Sequence, residues 1–323
     1  MKKILPLLLF AALLFMQSCN TSDVTVTEKI DAKLKEQIRD KNDSLMVAFS
    51  SSDLAIYKEL GSEKFVKNLQ ANTRIVSEPF RKGFFKAVFT VYDEFLVTNN
   101  GARDKIEIPS KHGYTFSFVN EEKQSLVSFL KVSRGQLDYL ITVIYGYTNN
   151  KWQVNELYYS FLGNWGQTTP DFYKMAKQYE AKGMLLNAYL AANTAAVCSD
   201  SHNDNFTWND VKRIKLYEKT LFAKVNEKYS FPITLTKVPT KPVVVSLEPN
   251  VIINETVPCI NYQTSISIKD TIAIKKEQVE VKSAIKTIFK DLNFKSNMAY
   301  NAIPPEYKQS GATFVIIDKF EKK

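Results

Sequence analysis

One stretch constrains this chain more than any other. Leu137, Tyr139, Ile141, Val143, Tyr145 and Tyr147 place an apolar or aromatic side chain at every second position. A period of two is the mark of a strand with one buried face. Asn149 and Asn150 follow, and such residues tolerate the positive φ that a tight turn requires. Trp152 to Phe161 then supplies the returning strand. The spacing predicts a long antiparallel hairpin.

The segments on either side set the fold class. From Ile38 the pattern is helical, with Leu45, Val47, Ala48, Leu54, Ile56, Tyr57 and Leu60 as apolar positions. Ser51-Ser52-Asp53 interrupts it, so two helices are expected, with Ser52 or Asp53 capping the second. Phe65, Val66 and Leu69 continue an amphipathic face. After Pro79 the pattern changes, and Phe84 to Val97, Tyr114 to Val119 and Gln124 to Val132 read as strands. Helices followed by a run of strands is an α+β arrangement, not alternating βαβ.

Residues 164–230 read as a helical connector. Ala176, Gly183, Ala188, Ala192 and Ala195 suit a closely packed helical pair that resembles a single tetratricopeptide hairpin. Trp208 to Tyr229 reads as a helix with Thr207 as its cap. Residues 231–323 form a C-terminal mixed α+β domain. Its expected strands are Phe231–Val238, Pro242–Leu247, Val251–Val257, Thr264–Ile274 and Ala312–Ile317, with a helix through Val281, Ile285, Ile288, Phe289 and Leu292.

The helices and the Tyr147–Val154 hairpin (YTNNKWQV) give residues 37–163 a resemblance to NTF2-like or cystatin-like cones. That resemblance implies a curved antiparallel sheet wrapped around helices, with a pocket between them. Tyr139, Tyr145, Tyr147, Phe116 and Phe118 are the candidate ligand-pocket residues, and an ordinary packed core is the other reading of the same side chains.

The N-terminus carries an address. Lys2 and Lys3 precede Ile4 to Met16, an apolar run too short to span a bilayer core of about 30 Å. Met16-Gln17-Ser18-Cys19 follows and resembles the lipobox of bacterial lipoproteins, in a looser form similar to that of Bacteroidota. The resemblance implies a signal peptide over 1–18, acylation of Cys19, and a lipid bilayer held through N-terminal acyl chains. Residues 19–36 would be the lipidated cysteine and a polar tether. Asn20 resembles outer-membrane sorting, and Asp23 and Glu28 are a thin acidic cluster that leaves open which side of the outer membrane the body faces. Losing Lys2 and Lys3 lowers the formal charge from +9 to about +7. The positive residues are interspersed with acids, so no nucleic-acid partner is expected.

Motifs for chemistry are sparse. The sequence has no phosphate loop, dinucleotide turn, zinc helix or nucleophile elbow. His112 and His202 read as loop histidines, and the Asx-rich stretch 200–205 as a turn rather than a calcium loop. Cys198 and Cys259 are either buried thiols or a disulfide. Asp93 and Glu94 sit on a strand and should point to opposite faces unless a bulge intervenes. Glu121 and Glu122 read as a solvated hairpin turn, and Glu277/Glu280 is a further acidic pair. The expectation is a non-enzymatic, membrane-anchored binding or scaffold lipoprotein of the cell envelope, with no cofactor, no metal and an envelope protein as partner. The alternative is a small-ligand receptor or enzyme using the cone pocket.

Overall fold

The computed structural model describes residues 22–51, 53–69, 88–100, 103–200, 205–252, 255–294, 297–306 and 312–319. The expected signal peptide and Cys19 lie outside them. The fold starts earlier than the polar composition of residues 19–36 suggests. Strand β1 (Asp23–Val26) pairs antiparallel with β2 (Phe89–Thr98), Asp23 opposite Thr98 and Val26 opposite Phe95. The tether is corrected accordingly: from Asp23 the chain is part of a sheet. Val24, Thr25 and Val26 are β-branched and complete the ladder of a strand that would otherwise be an open edge.

Three helices follow. In α1 (Ala32–Ser51), Ile38, Leu45, Met46, Ala48 and Phe49 form the buried face. The break expected near residue 52 is present, and Asp53 is the cap: its carboxylate accepts the Ala55 N–H at 2.8 Å and starts α2 (Leu54–Leu60). Ser62 does the same for α3 (Glu63–Lys67).

The remaining strands of the first part are β3 (Asp104–Pro109), β4 (Tyr114–Asn120), β5 (Gln124–Arg134), β6 (Leu137–Thr148), β7 (Lys151–Asn164) and β8 (Gln167–Thr168). One antiparallel sheet runs β1-β2-β5-β6-β7-β8. The β6–β7 hairpin turns at Asn149 and Asn150, whose φ values are 51° and 60°. The strands β3 and β4 form a second sheet with β9 (Phe206–Trp208). Strands β4 and β5 therefore belong to different sheets, and Glu121–Glu122 lies at the corner between them, not in a hairpin. Asn120 closes that corner: its Nδ2 donates to the Glu122 carbonyl and its Oδ1 accepts from Ser125.

The larger sheet is buried on both faces. Leu126, Leu130, Val132, Ile141, Val143 and Tyr145 pack against α1–α3. On the other side Phe95, Val127, Phe129, Leu140 and Ile144 pack against Ile106, Tyr114, Phe116, Phe118, Phe206 and Trp208 of the second sheet. Burial on both faces explains why residues 124–132 form a strand without alternating.

Helices α4 (Thr169–Ala181), α5 (Leu185–Asp200) and α6 (Val211–Tyr229) come next. A capping box opens α4, with Thr168 and Asp171 as its members. The helix expected from Trp208 begins only at Val211, and Thr207 is not its cap. Phe206 and Trp208 instead point into the aromatic cluster from a short strand, with Thr207 exposed between them. The C-terminal sheet runs β10 (Ile233–Thr234), β11 (Val243–Ile252), β12 (Glu255–Gln263), β13 (Met298–Ile303), β14 (Phe314–Asp318). Helix α7 (Thr271–Ile288) makes the crossover between the parallel pair β12 and β13. The strand expected over 264–274 is corrected here: Asp270 caps α7, and Ile274, Val281 and Ile285 are its buried stripe while Ile272 is exposed.

The fold is α+β, as expected. The helical segment is more than a connector, because Leu186, Tyr189, Leu190, Leu221 and Val225 share one core cluster with Leu247, Tyr262, Ile274 and Ile285. Among the described residues no helix is long and apolar enough to cross a membrane.

The β6–β7 turn yields a direct test. Asn150→Val puts a β-branched side chain at φ 60° and should cost about 1–2 kcal/mol in urea unfolding. Asn150→Gly should cost far less. Equal effects of the two changes would show that the turn conformation is not what matters there.

Candidate functional site

The aromatic residues expected to line a pocket do not converge. Tyr145 is fully buried, and its hydroxyl donates to Asn42 Oδ1 at 2.8 Å. Tyr139 stacks on Tyr159, with centroids 5.2 Å apart, and meets Phe161 edge-on. Tyr147 lies against Trp152 and is partly exposed at the end of the hairpin. Phe116 and Phe118 are on the far side of the sheet, in the other core cluster. The pocket expectation is corrected: the pleat and the second sheet divide Tyr139, Tyr145, Phe116 and Phe118 between two packed cores, and Tyr147 lies outside both.

Strand β2 carries two buried carboxylates back to back. Asp93 and Glu94 are each 4% exposed. A bulge does lie between Val91 and Asp93, yet the two side chains keep opposite faces. Asp93 accepts hydrogen bonds from Ser110 Oγ and from Tyr114 at 2.9 Å. His112 Nε2 lies 4.0 Å from it, with the imidazole stacked on Tyr92. Glu94 faces the helices and ends a polar chain. Tyr145 donates to Asn42, Asn42 to Ser128, and Ser128 to Glu94 Oε1 at 3.1 Å. Burial pushes the Glu94 carboxyl up, while the Ser128 hydroxyl and the Lys35 charge pull it down without reversing the shift.

The cysteines are corrected to one of their two readings. They form no disulfide, since Cys198 and Cys259 are buried in different clusters. Burial pushes their thiols up to about 12 and about 11, which leaves neither as a thiolate at neutral pH. His202 lies outside the described residues. Among those residues no group of three metal-ligating side chains occurs.

A cleft that the sequence did not reveal lies where the first sheet, the helical hairpin and the C-terminal sheet meet. Strands β7 and β8 are joined at Trp165-Gly166, with φ values of 57° and 73°. A tryptophan in the left-handed region is strained, and the surroundings fix it there. The Trp165 N–H donates to the Gln136 carbonyl at 2.7 Å, and the Gly166 N–H to Asp138 Oδ2 at 2.9 Å. Lys131 pairs with the same carboxylate at 3.1 Å. Gly163 is required beside the turn, because a Cβ there would sit 1.9 Å from the Gln167 carbonyl oxygen. Trp165 itself is 59% exposed.

Behind this turn the cleft encloses about 190 Å³. Its floor is apolar: Phe172, Met175, Leu190, Ala191, Val257 and Pro258. Asn164, Asn187 and Asn293 supply amides, and no charged side chain lines it. Asn187 Oδ1 accepts the Asn293 N–H at 3.0 Å. Asn164 is 2% exposed and its Oδ1 has no hydrogen-bond partner. The buried Gln136 Oε1 and Thr169 Oγ1, on either side of the same turn, also lack one. The Asn-Trp-Gly-Gln stretch at 164–167 was the available signal, a large aromatic inside an otherwise polar turn. Comparison with family models, curated proteins and solved structures gives no match for this chain.

The raised Glu94 pKa gives a signed prediction. Protonated Glu94 is the form that burial favours, so its contribution is complete below the unfolded carboxylate range near pH 4. It is lost as pH rises through the folded value. Glu94→Gln keeps an acceptor for Ser128 and removes that loss. In urea unfolding the variant should gain on the wild type as pH is raised from 4 to 7. A constant difference between the two pH values would refute the assignment.

Proposed function

We propose that the chain is a membrane-anchored exported lipoprotein whose folded body is a non-enzymatic binding or scaffold module of the cell envelope. The observation that carries the binding part is the preformed, uncharged cleft at the meeting of the two sheets and the helical hairpin. Its amides and exposed Trp165 make it a recognition surface lined by no carboxylate, imidazole or amine side chain. The anchor rests on the apolar run 4–16 and Cys19.

The helices, the antiparallel sheet and the closing hairpin of the first domain support the NTF2-like reading. A small-ligand receptor or enzyme working inside a cone pocket has less support, because Tyr139, Tyr145, Phe116 and Phe118 are packed as core. With β1 beginning at Asp23, residues 20–22 alone separate an acylated Cys19 from the sheet. The four steps from Cys19 to Asp23 reach at most about 14 Å, so the body would rest close to the bilayer surface.

Mass spectrometry of the membrane fraction should find an acyl-modified peptide beginning at Cys19. Cys19→Ala should release the protein from that fraction. An unmodified terminus, or membrane retention of the variant, would defeat the anchoring claim.

A further inference from the structure

We infer that the body stands end-on on the bilayer, with the tethered end of the large sheet set against the headgroup layer and the C-terminal domain held away from it. This rests on the lipoprotein reading and names the lipid-facing surface, which that reading leaves open.

Register is the first argument. Asp23 pairs with Thr98, Thr98 with Gln124, Ser125 with Gly146, and Thr148 with Lys151. The start of β1, the corner at 120–124 and the β6–β7 turn therefore share one end of the sheet. Helix α3 joins them, since Lys64 pairs with Glu121 at 2.9 Å. Reach is the second argument. Four steps of chain from Cys19 keep that end within about 14 Å of the lipid. From Thr148, strand β6 runs about 37 Å to Leu137 at the opposite end. Leu137 opposes Asn164 there, at the turn that meets the C-terminal sheet. An upright body thus keeps the cleft beside Trp165 clear of lipid and open to a partner.

Reach alone also permits the body to lie along its β1–β2 edge, and surface chemistry decides between the two poses. Tyr147, at the tip of the hairpin, is 38% exposed and lies against Trp152. Tyrosine and tryptophan are the side chains that favour a membrane–water interface. The charges at this end are balanced. Exposed Lys123 and Lys151 make no ion pair among the described residues, and neither do Asp23 and Glu122. Two cations and two carboxylates left over in this way match the phosphate and ammonium groups of a zwitterionic headgroup layer. On the β2 edge the exposed residues are Thr90 and Val91, which bring neither charge nor an aromatic ring.

The test uses the acylated full chain carrying Lys123→Cys, Lys151→Cys or Thr90→Cys, each at an exposed position and each labelled with a fluorophore. Cys198 and Cys259 are buried and do not compete for the label. Each variant is reconstituted into vesicles of equal parts phosphatidylethanolamine and phosphatidylcholine, with a nitroxide on a fraction of the headgroups. Emission from 123 and 151 should be quenched. Emission from 90, about 25 Å along β2 from the tethered end, should not be. Tyr147→Ser should lessen the quenching at 151, and an unchanged value overturns the contact at the turn. Equal quenching at all three positions overturns the pose in favour of the edge. No quenching at any of them overturns it in favour of a body held off the surface. In both cases an acyl-modified Cys19 peptide from the same sample leaves the anchor standing. An unmodified terminus defeats the anchor and this pose together.

Discussion

Everything in the first domain depends on β5 and β6 being buried on both faces. A half-exposed antiparallel sheet needs one partner layer, and this one has two. The helical layer covers Leu126, Leu130, Ile141 and Val143, and the second sheet covers Val127, Phe129, Leu140 and Ile144. Two buried layers make polar groups between them depend on partners inside the protein, and the Tyr57 hydroxyl is an exception that has none. Asp93 and Glu94 show how that is met. Each carboxylate is handed to hydroxyls from its own side, Tyr114 and Ser110 for one, Ser128 for the other. The Thr27 hydroxyl holds the Glu94 backbone, donating to its carbonyl and accepting from its N–H.

The parts of the fold legible in the sequence were those governed by local rules. The β6–β7 hairpin announced itself through a period of two and a pair of asparagines. The cap at Asp53 was readable because a side-chain oxygen two residues before the Ala55 N–H is enough to make it. Where tertiary packing decided, local rules misled. Trp208, Val211 and Ile214 have helical spacing, but Trp208 gains more from the aromatic cluster with Tyr114 and Phe206 than from a turn of helix. Ile272 and Ile274 alternate like strand residues, yet Asp270 starts a helix there and buries only the second.

The cleft was not legible for a different reason. Its walls come from residues 164–165, from the helical hairpin and from 249–258, segments far apart in sequence with no shared period. Convergence of that kind is a property of topology. Only Trp165 left a local trace, since a bulky aromatic rarely occupies a left-handed turn without a reason. The aromatic residues that did attract notice were the opposite case. Their regular spacing suited a core as well as a pocket, and all but Tyr147 pack into the two cores.

Strand β9 has one further consequence. Three residues, Phe206 to Trp208, leave the helical segment and complete the aromatic cluster of the first domain. The helices on either side of them meanwhile build the core of the last. The chain is thus laced: its third quarter is spent alternately on one domain and then the other. No single cut separates the two halves into finished objects, because each would leave a core short of residues that lie on the other side of it.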